Sequence, residues 1–461
     1  MAHEKRRIRD PIHGLIVFDL VETVDSLAWK LIETPEFQRL RRIRQLGVSD
    51  LVFPGATHSR FAHSIGVFHN ARKLIRVIQD EEGTAFDQRR AMVVQIAALL
   101  HDLGHGPFSH AFEDARKAVA KNRGKSATPK HEKFTERMIR DEAGAIRPIL
   151  DAEDDKLARE VADVFAAEDP VDIYHAVVSS SFDADRLDYL VRDRYMTGTG
   201  AGAIDRDWLL DNLTTCLVQR SQVEETDSTD VTSESIVPTF VFKKKARQAA
   251  EDFLLARYRL YTQVYLHKAT RGFEKLATAL FVHLSQHPSP ENLGLAPGNP
   301  IVRFFATDGG DLDGYRRLDD AVVWSAIESM ARCEDERASD LAGRLLNRKR
   351  LAVLDVAAEC GHNKEVLANA VRRIESHISD RLDRTIFRDR PSYNLYSRIG
   401  GDSEKEHTKV RILIGNAEQK EITEFPDTII GNQHHEKLPV PRYYFLDESE
   451  RERARKAMGG N

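Results

Sequence analysis

Residues 97–113, AALLHDLGHGPFSHAFE, are the most informative segment of this chain. It begins inside an almost wholly apolar run, Ala91 to Leu100, which predicts a helix buried on all sides at the centre of a helical core. The run ends at His101 and Asp102, before a glycine- and proline-rich turn. Imidazole and carboxylate groups are costly to bury without partners, and a metal ion satisfies both. We therefore expect a mainly α protein with a metal centre at the end of this helix.

Histidines crowd the same part of the chain. Seven of the eighteen lie in one stretch: His58, His63, His69, His101, His105, His110 and His131. Arg60 and His63 are spaced to share one helical face, and Asp185, Tyr189 and Asp193 are spaced to share another. A solvated polar stripe explains any one of these faces. Their occurrence together in one chain favours a shared site.

Hydrophobic periodicity divides the chain into three parts. Residues 1–285 are expected to form the helical catalytic core, with a break at Pro35 and a helix cap at Ser59. Residues 286–388 are expected to form a helical extension. Residues 389–461, which contain the strand-like segments KVRILIG and RYYFLD, are expected to form a small α+β region ending in a charged helix.

Two segments of the core are expected to be irregular. Residues 116–131 are basic with few apolar positions, which predicts a mobile loop. Residues 217–243 are rich in Thr, Ser, Glu and Asp, which predicts an irregular hairpin or a partly disordered excursion. Residues 246–285 and 319–388 are predicted to be helical.

Composition excludes several classes of protein. The net charge of −5 argues against a globally basic nucleic-acid binder, although an anionic substrate needs only a local basic pocket. The three cysteines, Cys216, Cys333 and Cys360, are too far apart for a CxxC motif or a disulfide framework. The charged N-terminus lacks a signal sequence, and no apolar run is long enough to span a membrane. We expect a soluble, cytoplasmic protein with no membrane association.

Longer motifs add a family resemblance. RDPIHG at 9–14, TPEFQRLRRIRQLG at 34–47, VFPGATHSRFAHSIGV at 52–67 and HDLGHGPFSHAFE at 101–113 resemble the SAM-and-HD-domain dNTP triphosphohydrolases and their bacterial relatives. DADRLDYLVRD and LLARYRLYTQVYLHK continue the similarity to about residue 280. The C-terminal third matches loosely, and no SAM domain is expected. The resemblance implies an HD-domain helical core.

The resemblance also implies a metal centre and its catalytic neighbours. Its metal ligands are His63, His101, Asp102 and Asp185, holding Mg, Mn, Fe or Zn. Such a cation lowers the pKa of water and polarises phosphate. His105, His110, Glu113 and His131 are the implied catalytic residues, with His110 as proton donor to the leaving oxygen. Glu113 stands where animal relatives carry Asp.

Substrate contacts follow by the same similarity. Arg60, Arg186 and Arg257 fall on positions that grip a triphosphate, with Lys268 and Arg271 as possible additions. The sugar and base positions are filled by Gln45 and Asp193 at the 3′-hydroxyl, Tyr189 beneath the sugar and Tyr265 near the base. A tyrosine packed beneath the sugar would select deoxyribose, because a 2′-hydroxyl would clash with it.

Assembly and regulation are further implications of the resemblance. Relatives are commonly tetramers, some activated by nucleotides bound between subunits, so a homo-oligomer, tetramer or dimer, is expected. Lys5, Arg6 and Arg7 with Arg41 resemble part of an activator site, and Glu33 replaces an aspartate that reads guanine. An ordinary basic surface segment explains these residues equally well. Nucleic acid is a further possible partner, but hydrolysis of dNTPs does not require it.

The sequence therefore predicts metal-dependent hydrolysis of dNTPs to deoxynucleoside and tripolyphosphate. A second reading keeps the metal site but changes the substrate to a nucleoside monophosphate, a cyclic nucleotide or a nucleic-acid end. A third reading is a nucleotide-regulated nucleic-acid-binding protein, with residues 116–131 and the N-terminus as its basic surfaces. A pure binding module has no need for four metal ligands and three further histidines, which favours the enzyme.

Overall fold

The computed structural model describes residues 4–125, 128–167, 172–219, 236–307, 311–361, 363–390, 409–415, 418–431 and 441–459. These residues form a mainly α structure, as the sequence predicted. The helices are α1 (Thr23–Ile32), α2 (Pro35–Arg39), α3 (Arg60–Glu82), α4 (Gln88–Leu100), α5 (His110–Asn122), α6 (His131–Arg140), α7 (Ile146–Glu153), α8 (Leu157–Ala166), α9 (Ala184–Thr197), α10 (Arg206–Asp211), α11 (Arg247–Leu260), α12 (Lys268–Gln286), α13 (Pro300–Ala306), α14 (Leu312–Arg316), α15 (Asp320–Met330), α16 (Glu336–Leu346), α17 (Val356–Cys360), α18 (Lys364–Ile378) and α19 (Glu448–Ala457).

Helix α4 lies at the centre of the main hydrophobic core. Its residues from Val93 to Leu100 are all buried, because apolar side chains cover the whole circumference of the helix. Helix α3 packs on α4 and on α9, and the side chain of Ser59 caps α3 by accepting the backbone N–H of Ala62. Pro35 occupies the first turn of α2, where its missing N–H is harmless. The core helices α3, α4 and α9 carry the polar residues noted in the sequence.

The strands form three small sheets within the described residues. Their bounds are β1 (Lys5–Asp10), β2 (Gly14–Asp19), β3 (Leu213–Gln219), β4 (Ile236–Lys243), β5 (Ala352–Asp355), β6 (Ile386–Asp389), β7 (Arg411–Leu413), β8 (Gln419–Glu421) and β9 (Arg442–Phe445). The strand orders are β1-β2, β3-β4-β7-β8 and β5-β9-β6. All neighbours pair antiparallel except β4 and β7, which are parallel.

A second, smaller hydrophobic core lies beneath β5-β9-β6. It combines Leu354 of β5, Ile374 of α18, Tyr443 of β9 and Ala454 of α19. The sheet therefore joins residues 352–389 to the C-terminal strand and helix. This pairing runs across the boundary expected at residue 388, and the three-part division of the chain stays a prediction.

Three local expectations differ from the structure. Residues 116–122 are not part of a mobile loop but complete α5, because buried Arg116 stacks its guanidinium 4.5 Å from the ring centre of Phe134. The stretch 246–285 is interrupted by a π-helical turn, Tyr261–Tyr265. Strand β5 and all but the last residue of β6 lie within the stretch predicted to be helical, because both pair antiparallel with β9. For the excursion at 217–243, β3 and β4 form the predicted hairpin, and residues 220–235 lie outside the described residues.

Among the described residues, a search for a helix with the length and apolarity needed to cross a bilayer finds none.

Candidate active site

Three core helices bring the predicted metal ligands together. The Nε2 atom of His63 lies 3.0 Å from Asp185 Oδ1 and 3.2 Å from His101 Nε2. His101 Nε2 lies 4.0 Å from the same Asp185 oxygen. Asp102 lies beside them, with Oδ1 3.2 Å from His101 Nε2 and Oδ2 3.9 Å from His63 Nε2. His63, His101 and Asp185 offer ligand atoms within 4.8 Å of one another, a spacing that suits three ligands of one ion, whereas Asp102 lies beside this group and is paired with Arg60.

Hydrogen bonds orient both imidazoles for metal binding. His63 Nδ1 lies 2.7 Å from Asp188 Oδ2, and His101 Nδ1 lies 2.9 Å from the carbonyl oxygen of Ala98. In each ring the Nδ1–H donates outward, so the Nε2 lone pair is directed into the site. Burial opposes protonation of His63, but the carboxylates of Asp185 and Asp188 raise its pKa to about 10. A pocket that attracts a proton so strongly also attracts a divalent cation, so the donor set fits a metal.

Sequence reasoning missed the buried network behind His63. Asp188 accepts from His13 Nε2 at 2.6 Å and from Arg192 Nε at 2.7 Å. Arg192 in turn donates to Asp10 at 2.8 Å. Burial opposes ionisation of Asp188, yet Arg192 and the two histidines hold its pKa well below the usual range. The signals were present as the aspartate and histidine of RDPIHG and as the i, i+4 pair of Asp188 and Arg192.

Gly66 makes room for this network. A Cβ atom at that position of α3 would lie 1.9 Å from Asp188 Oδ1 and 2.6 Å from Arg192 Nη2. A larger residue at position 66 would therefore push the carboxylate away from His63.

A second cluster contains three of the predicted catalytic residues. The rings of His105 and His131 stack with their centres 3.8 Å apart, and His131 Nδ1 lies 3.0 Å from Glu113 Oε1. His105 Nε2 lies 3.3 Å from Asp102 Oδ1, which joins this cluster to the predicted metal ligands. Glu113 therefore contacts His131, although its side chain is one methylene longer than the aspartate expected at this position. The side chain of His110 is 64% exposed, and its Nδ1 atom lies 4.0 Å from Glu113 Oε2, at the edge of the cluster.

The stacked histidines have opposite pKa shifts. Burial and the nearby Arg60 guanidinium hold the pKa of His105 well below its usual value. Burial also opposes protonation of His131, but the hydrogen bond to Glu113 raises its pKa overall. Burial disfavours the Glu113 carboxylate, whereas His131 and His105 lower its pKa overall. The arrangement thus disfavours a proton on His105 and favours one on His131, beside the Glu113 carboxylate.

The predicted phosphate-binding arginines are buried in three different settings. Arg60 donates to Asp102 Oδ2 at 2.6 Å and to Ser109 Oγ at 2.8 Å, between the two clusters. Arg186 pairs with Asp183, which also caps α9. The guanidinium of Arg257 lies 5.7 Å from the ring centre of Tyr261.

The two further cations that the resemblance adds for phosphate binding, Arg271 and Lys268, lie in different surroundings. Arg271 pairs with Asp389 and Glu274, so it is committed to an internal ion-pair cluster. Lys268 lines a cavity of about 630 Å³ between α12, β5 and α19.

Two of the predicted sugar-binding residues, Tyr189 and Asp193, lie on α9, on the turns that follow Asp185. The hydroxyl of Tyr265 donates to Asp193 Oδ2 at 2.6 Å, and His58 Nε2 lies 2.8 Å from Asp193 Oδ1. The rings of Tyr189 and Tyr265 meet edge to face with their centres 6.4 Å apart. Gln45 has a buried Oε1 atom with no hydrogen-bond partner among the described residues. A buried acceptor of this kind is satisfied when a ligand hydroxyl reaches it.

The loop between His101 and His110 is braced from outside the two clusters. Phe108 and Ser109 have positive φ angles of 57° and 49°, an unusual conformation for residues other than glycine. Asp320, the first residue of α15, accepts the backbone N–H of Phe108 and that of Arg44, each at 2.9 Å. The hydroxyl of Tyr315 donates to the carbonyl oxygen of Gly104 at 2.7 Å. Residues of α14 and α15 therefore hold the loop that carries the predicted catalytic histidines, which the sequence did not indicate.

Comparison with known proteins identifies the family. A family model described as the HD domain matches residues 60–190. The uncharacterised protein YwfO of Bacillus subtilis is 34% identical over 348 residues, covering 75% of this chain and 71% of that protein. The chain belongs to the HD-domain phosphohydrolase family. This hydrolase also resembles the crystal structure of a phosphohydrolase from Bacteroides thetaiotaomicron, with a TM-score of 0.69 and 25% identity over 96% of this chain and 99% of that one.

More distant relatives of this HD-domain hydrolase have a named activity. The deoxynucleoside triphosphate triphosphohydrolase SAMHD1 of Bos taurus is 50% identical over 107 residues, which are 23% of this chain and 17% of that protein. The SAMHD1 homologue of Dictyostelium discoideum is 32% identical over 286 residues, 60% of this chain and 49% of that protein. The chain thus spans half or less of the length of these named relatives.

Proposed function

We propose that this HD-domain phosphohydrolase cleaves dNTPs to deoxynucleoside and tripolyphosphate. The supporting observation is the arrangement along α9. Asp185, a metal ligand, is followed on successive turns by Tyr189 and Asp193, and Asp193 is held by the hydroxyl of Tyr265. These side chains form a row along one face of α9, from the cation site to an aromatic ring and a carboxylate. A nucleotide bound along this face would direct its phosphates at the metal and its sugar at the tyrosine and the second aspartate.

In this proposal the reaction is hydrolysis at the α-phosphorus. A water oxygen bonds to that phosphorus, the bond to the 5′-oxygen breaks, and the 5′-oxygen leaves with a proton. A divalent cation held by His63, His101, Asp102 and Asp185 would polarise the phosphate and lower the pKa of water. In this proposal His110, whose exposed side chain lies 4.0 Å from Glu113, protonates the leaving oxygen.

The remaining charged residues stabilise the phosphates. The imidazolium of His131, paired with Glu113, and the guanidinium of Arg60 supply fixed positive charge beside the metal ligands. Burial raises the pKa of Tyr189, and the positive charges of Arg257 and Arg186 oppose that rise, so both guanidinium groups act on the region around Tyr189. Because these groups are largely buried, they need little reorganisation when substrate binds.

The names of the more distant relatives support the same substrate class. Nucleotide activation and assembly into a homo-oligomer are further parts of this proposal. The side chains of Lys5, Arg6 and Arg7 are exposed on β1, where a nucleotide or a second copy could reach them.

A product assay tests the function. Purified protein is incubated with each dNTP and rNTP, alone and in mixtures, with Mg²⁺ or Mn²⁺, and products are separated by ion-pair chromatography. We expect deoxynucleoside and tripolyphosphate from dNTPs, no turnover of rNTPs, and no product with Asp102→Ala. Monophosphate and pyrophosphate as products, or equal turnover of rNTPs, would contradict the proposal.

A further inference from the structure

His58 is a buried histidine in the loop before α3, and the proposed reaction gives it no role. Its side chain is 3% exposed, and its Nε2 atom lies 2.8 Å from Asp193 Oδ1. Because a carboxylate oxygen accepts hydrogen bonds, Nε2 carries the proton and donates. The Nδ1 atom is buried and has no hydrogen-bond partner among the described residues. The hydrogen bond of this ring is therefore directed at one group, the carboxylate of Asp193.

The carboxylate of Asp193 is held at both of its oxygens. His58 donates to Oδ1, and the hydroxyl of Tyr265 donates to Oδ2 at 2.6 Å. Burial and the charge of Asp193 raise the pKa of Tyr265 well above its usual value, so the phenol keeps its proton and remains a donor. A carboxylate has about four acceptor positions, so both oxygens can still accept from a ligand. A carboxylate fixed in this way selects a ligand group that donates, such as a hydroxyl.

The backbone of His58 contacts the other residue predicted to bind the sugar hydroxyl. Its carbonyl oxygen accepts the backbone N–H of Gln45 at 3.0 Å. Next to this bond, Arg44 and Ser59 form an antiparallel bridge, so the two chain segments are aligned at this point. His58 is therefore bonded to both residues predicted at the 3′-hydroxyl, to Asp193 through its ring and to Gln45 through its backbone.

The loop that carries His58 is fixed on both sides of this residue. Ser59, the next residue, caps the first turn of α3. A Cβ atom at Gly55 would overlap the carbonyl oxygen of Met196, so the loop lies directly against the last turn of α9. The same helix carries Asp193. The imidazole and the carboxylate therefore belong to two segments that are packed against each other, which keeps their relative position constant.

We infer that His58 is a positioning residue for recognition of the 3′-hydroxyl of the substrate. The inference rests on the proposed function, because it takes the ligand to be a nucleotide whose sugar lies beside Asp193. Without the imidazole, the carboxylate keeps only the bond from Tyr265 and is free to rotate about it. The site then loses its preference for a sugar with a 3′-hydroxyl but keeps the groups proposed to bind the phosphates.

A pair of nucleotides that differ only in the 3′-hydroxyl tests the inference. Dissociation constants for dATP and 2′,3′-dideoxyATP are measured by titration calorimetry in an Asp102→Ala background, and kcat and KM for the same pair are measured without that substitution. The variants are His58→Ala and His58→Gln, whose amide N–H can replace the Nε2–H donor. His175→Ala, at a second buried histidine that makes none of these contacts, is the matched control. Melting temperatures of all variants report any loss of folding stability.

We expect the Asp102→Ala protein to bind dATP about 10–100-fold more tightly than the dideoxy nucleotide, as for a hydrogen bond to a charged group. Adding His58→Ala should remove most of this preference by weakening dATP alone, and His58→Gln should retain it. With the metal ligands intact, the loss in His58→Ala should appear mainly in KM for dATP. His175→Ala should lower the melting temperature and leave the preference unchanged.

Three results would overturn the inference: a preference that survives His58→Ala, an equal loss of affinity for both nucleotides, or no preference for dATP before His58 is changed. The proposed function is decided separately, by the release of tripolyphosphate from dNTPs. The binding measurements need no turnover, so the inference and the proposed function can fail independently.

Discussion

His63 donates its Nδ1–H to the carboxylate of Asp188 across 2.7 Å, and this bond directs the opposite nitrogen of the ring at the predicted metal ligands His101 and Asp185. Asp188 is not itself a ligand. It is buried among His13, Arg192 and His63, so its charge is fixed and its position is enforced from three sides. The orientation of the His63 ring therefore depends on a carboxylate that lies outside the predicted ligand set.

Replacing Asp188 with Asn should weaken metal binding without removing a ligand. The amide is similar in size but lacks the charge that fixes the tautomer of His63, and loss of such a partner typically lowers metal affinity about 10–100-fold. Titration calorimetry with Mn²⁺ measures the change. Asp207→Asn, at a side chain that is 85% exposed, is the control. Unchanged affinity in Asp188→Asn would show that His63 is oriented by other contacts.

Glu113 should be required for turnover through its contact with His131. Glu113→Gln removes the carboxylate that holds the imidazolium and should lower kcat about 100-fold or more with a smaller change in KM. The control is Glu132→Gln, because Glu132 also approaches His131 Nδ1, at 3.5 Å, but is 44% exposed. Equal losses in the two variants would contradict a specific role for Glu113.

Asp320 should make stability depend on pH in an unusual direction. Burial raises its pKa to about 6, although the N–H groups of Arg44 and Phe108 oppose the rise. Between about pH 4 and 6 the folded carboxyl keeps a proton that the unfolded one has lost, so this group lowers stability as the pH rises through that window. The effect is about 2–3 kcal/mol above pH 6.

The difference in unfolding free energy between the parent protein and Asp320→Asn isolates this effect. Urea unfolding of both proteins from pH 4 to pH 7 should show the parent losing stability relative to the variant as the pH rises. The variant should also lose activity, because the amide cannot accept both N–H groups that hold Phe108 and Arg44. A stability difference that is flat with pH would mean that the carboxyl titrates normally.

The ion-pair cluster around Arg271 should contribute to stability rather than to substrate binding. Arg271→Met leaves the buried carboxylate of Asp389 with Lys275, at 3.3 Å, as its remaining partner. We expect a loss of about 3 kcal/mol in unfolding free energy and little change in KM for dNTPs. Arg332→Met, at a side chain that is 77% exposed, should change stability by less than about 0.5 kcal/mol. A large rise in KM for Arg271→Met would assign that residue to substrate.

Local patterns in the sequence predicted much of this arrangement. The apolar run before His101 predicted the central helix, Ser59 predicted the start of α3, and the spacing of Asp185, Tyr189 and Asp193 predicted one face of α9. These features depend on neighbouring residues along the chain, which is why periodicity detects them.

Contacts between distant parts of the chain were not predictable in the same way. Asp188 meets His13 across 175 positions, and Asp320 meets Phe108 across 212. Burial of Arg116 against Phe134 turned an apparently mobile basic stretch into part of α5. Strands β5 and β6 exist because β9 pairs with both, an interaction that helical periodicity does not report.

The most direct test of the proposed reaction is to run it in H₂¹⁸O and locate the label. Attack of water on the α-phosphorus predicts ¹⁸O in the tripolyphosphate and none in the 5′-hydroxyl of the deoxynucleoside, with no labelled product from Asp102→Ala. Label in the 5′-hydroxyl, or release of pyrophosphate or orthophosphate in place of tripolyphosphate, would contradict cleavage at the bond that the site is proposed to break.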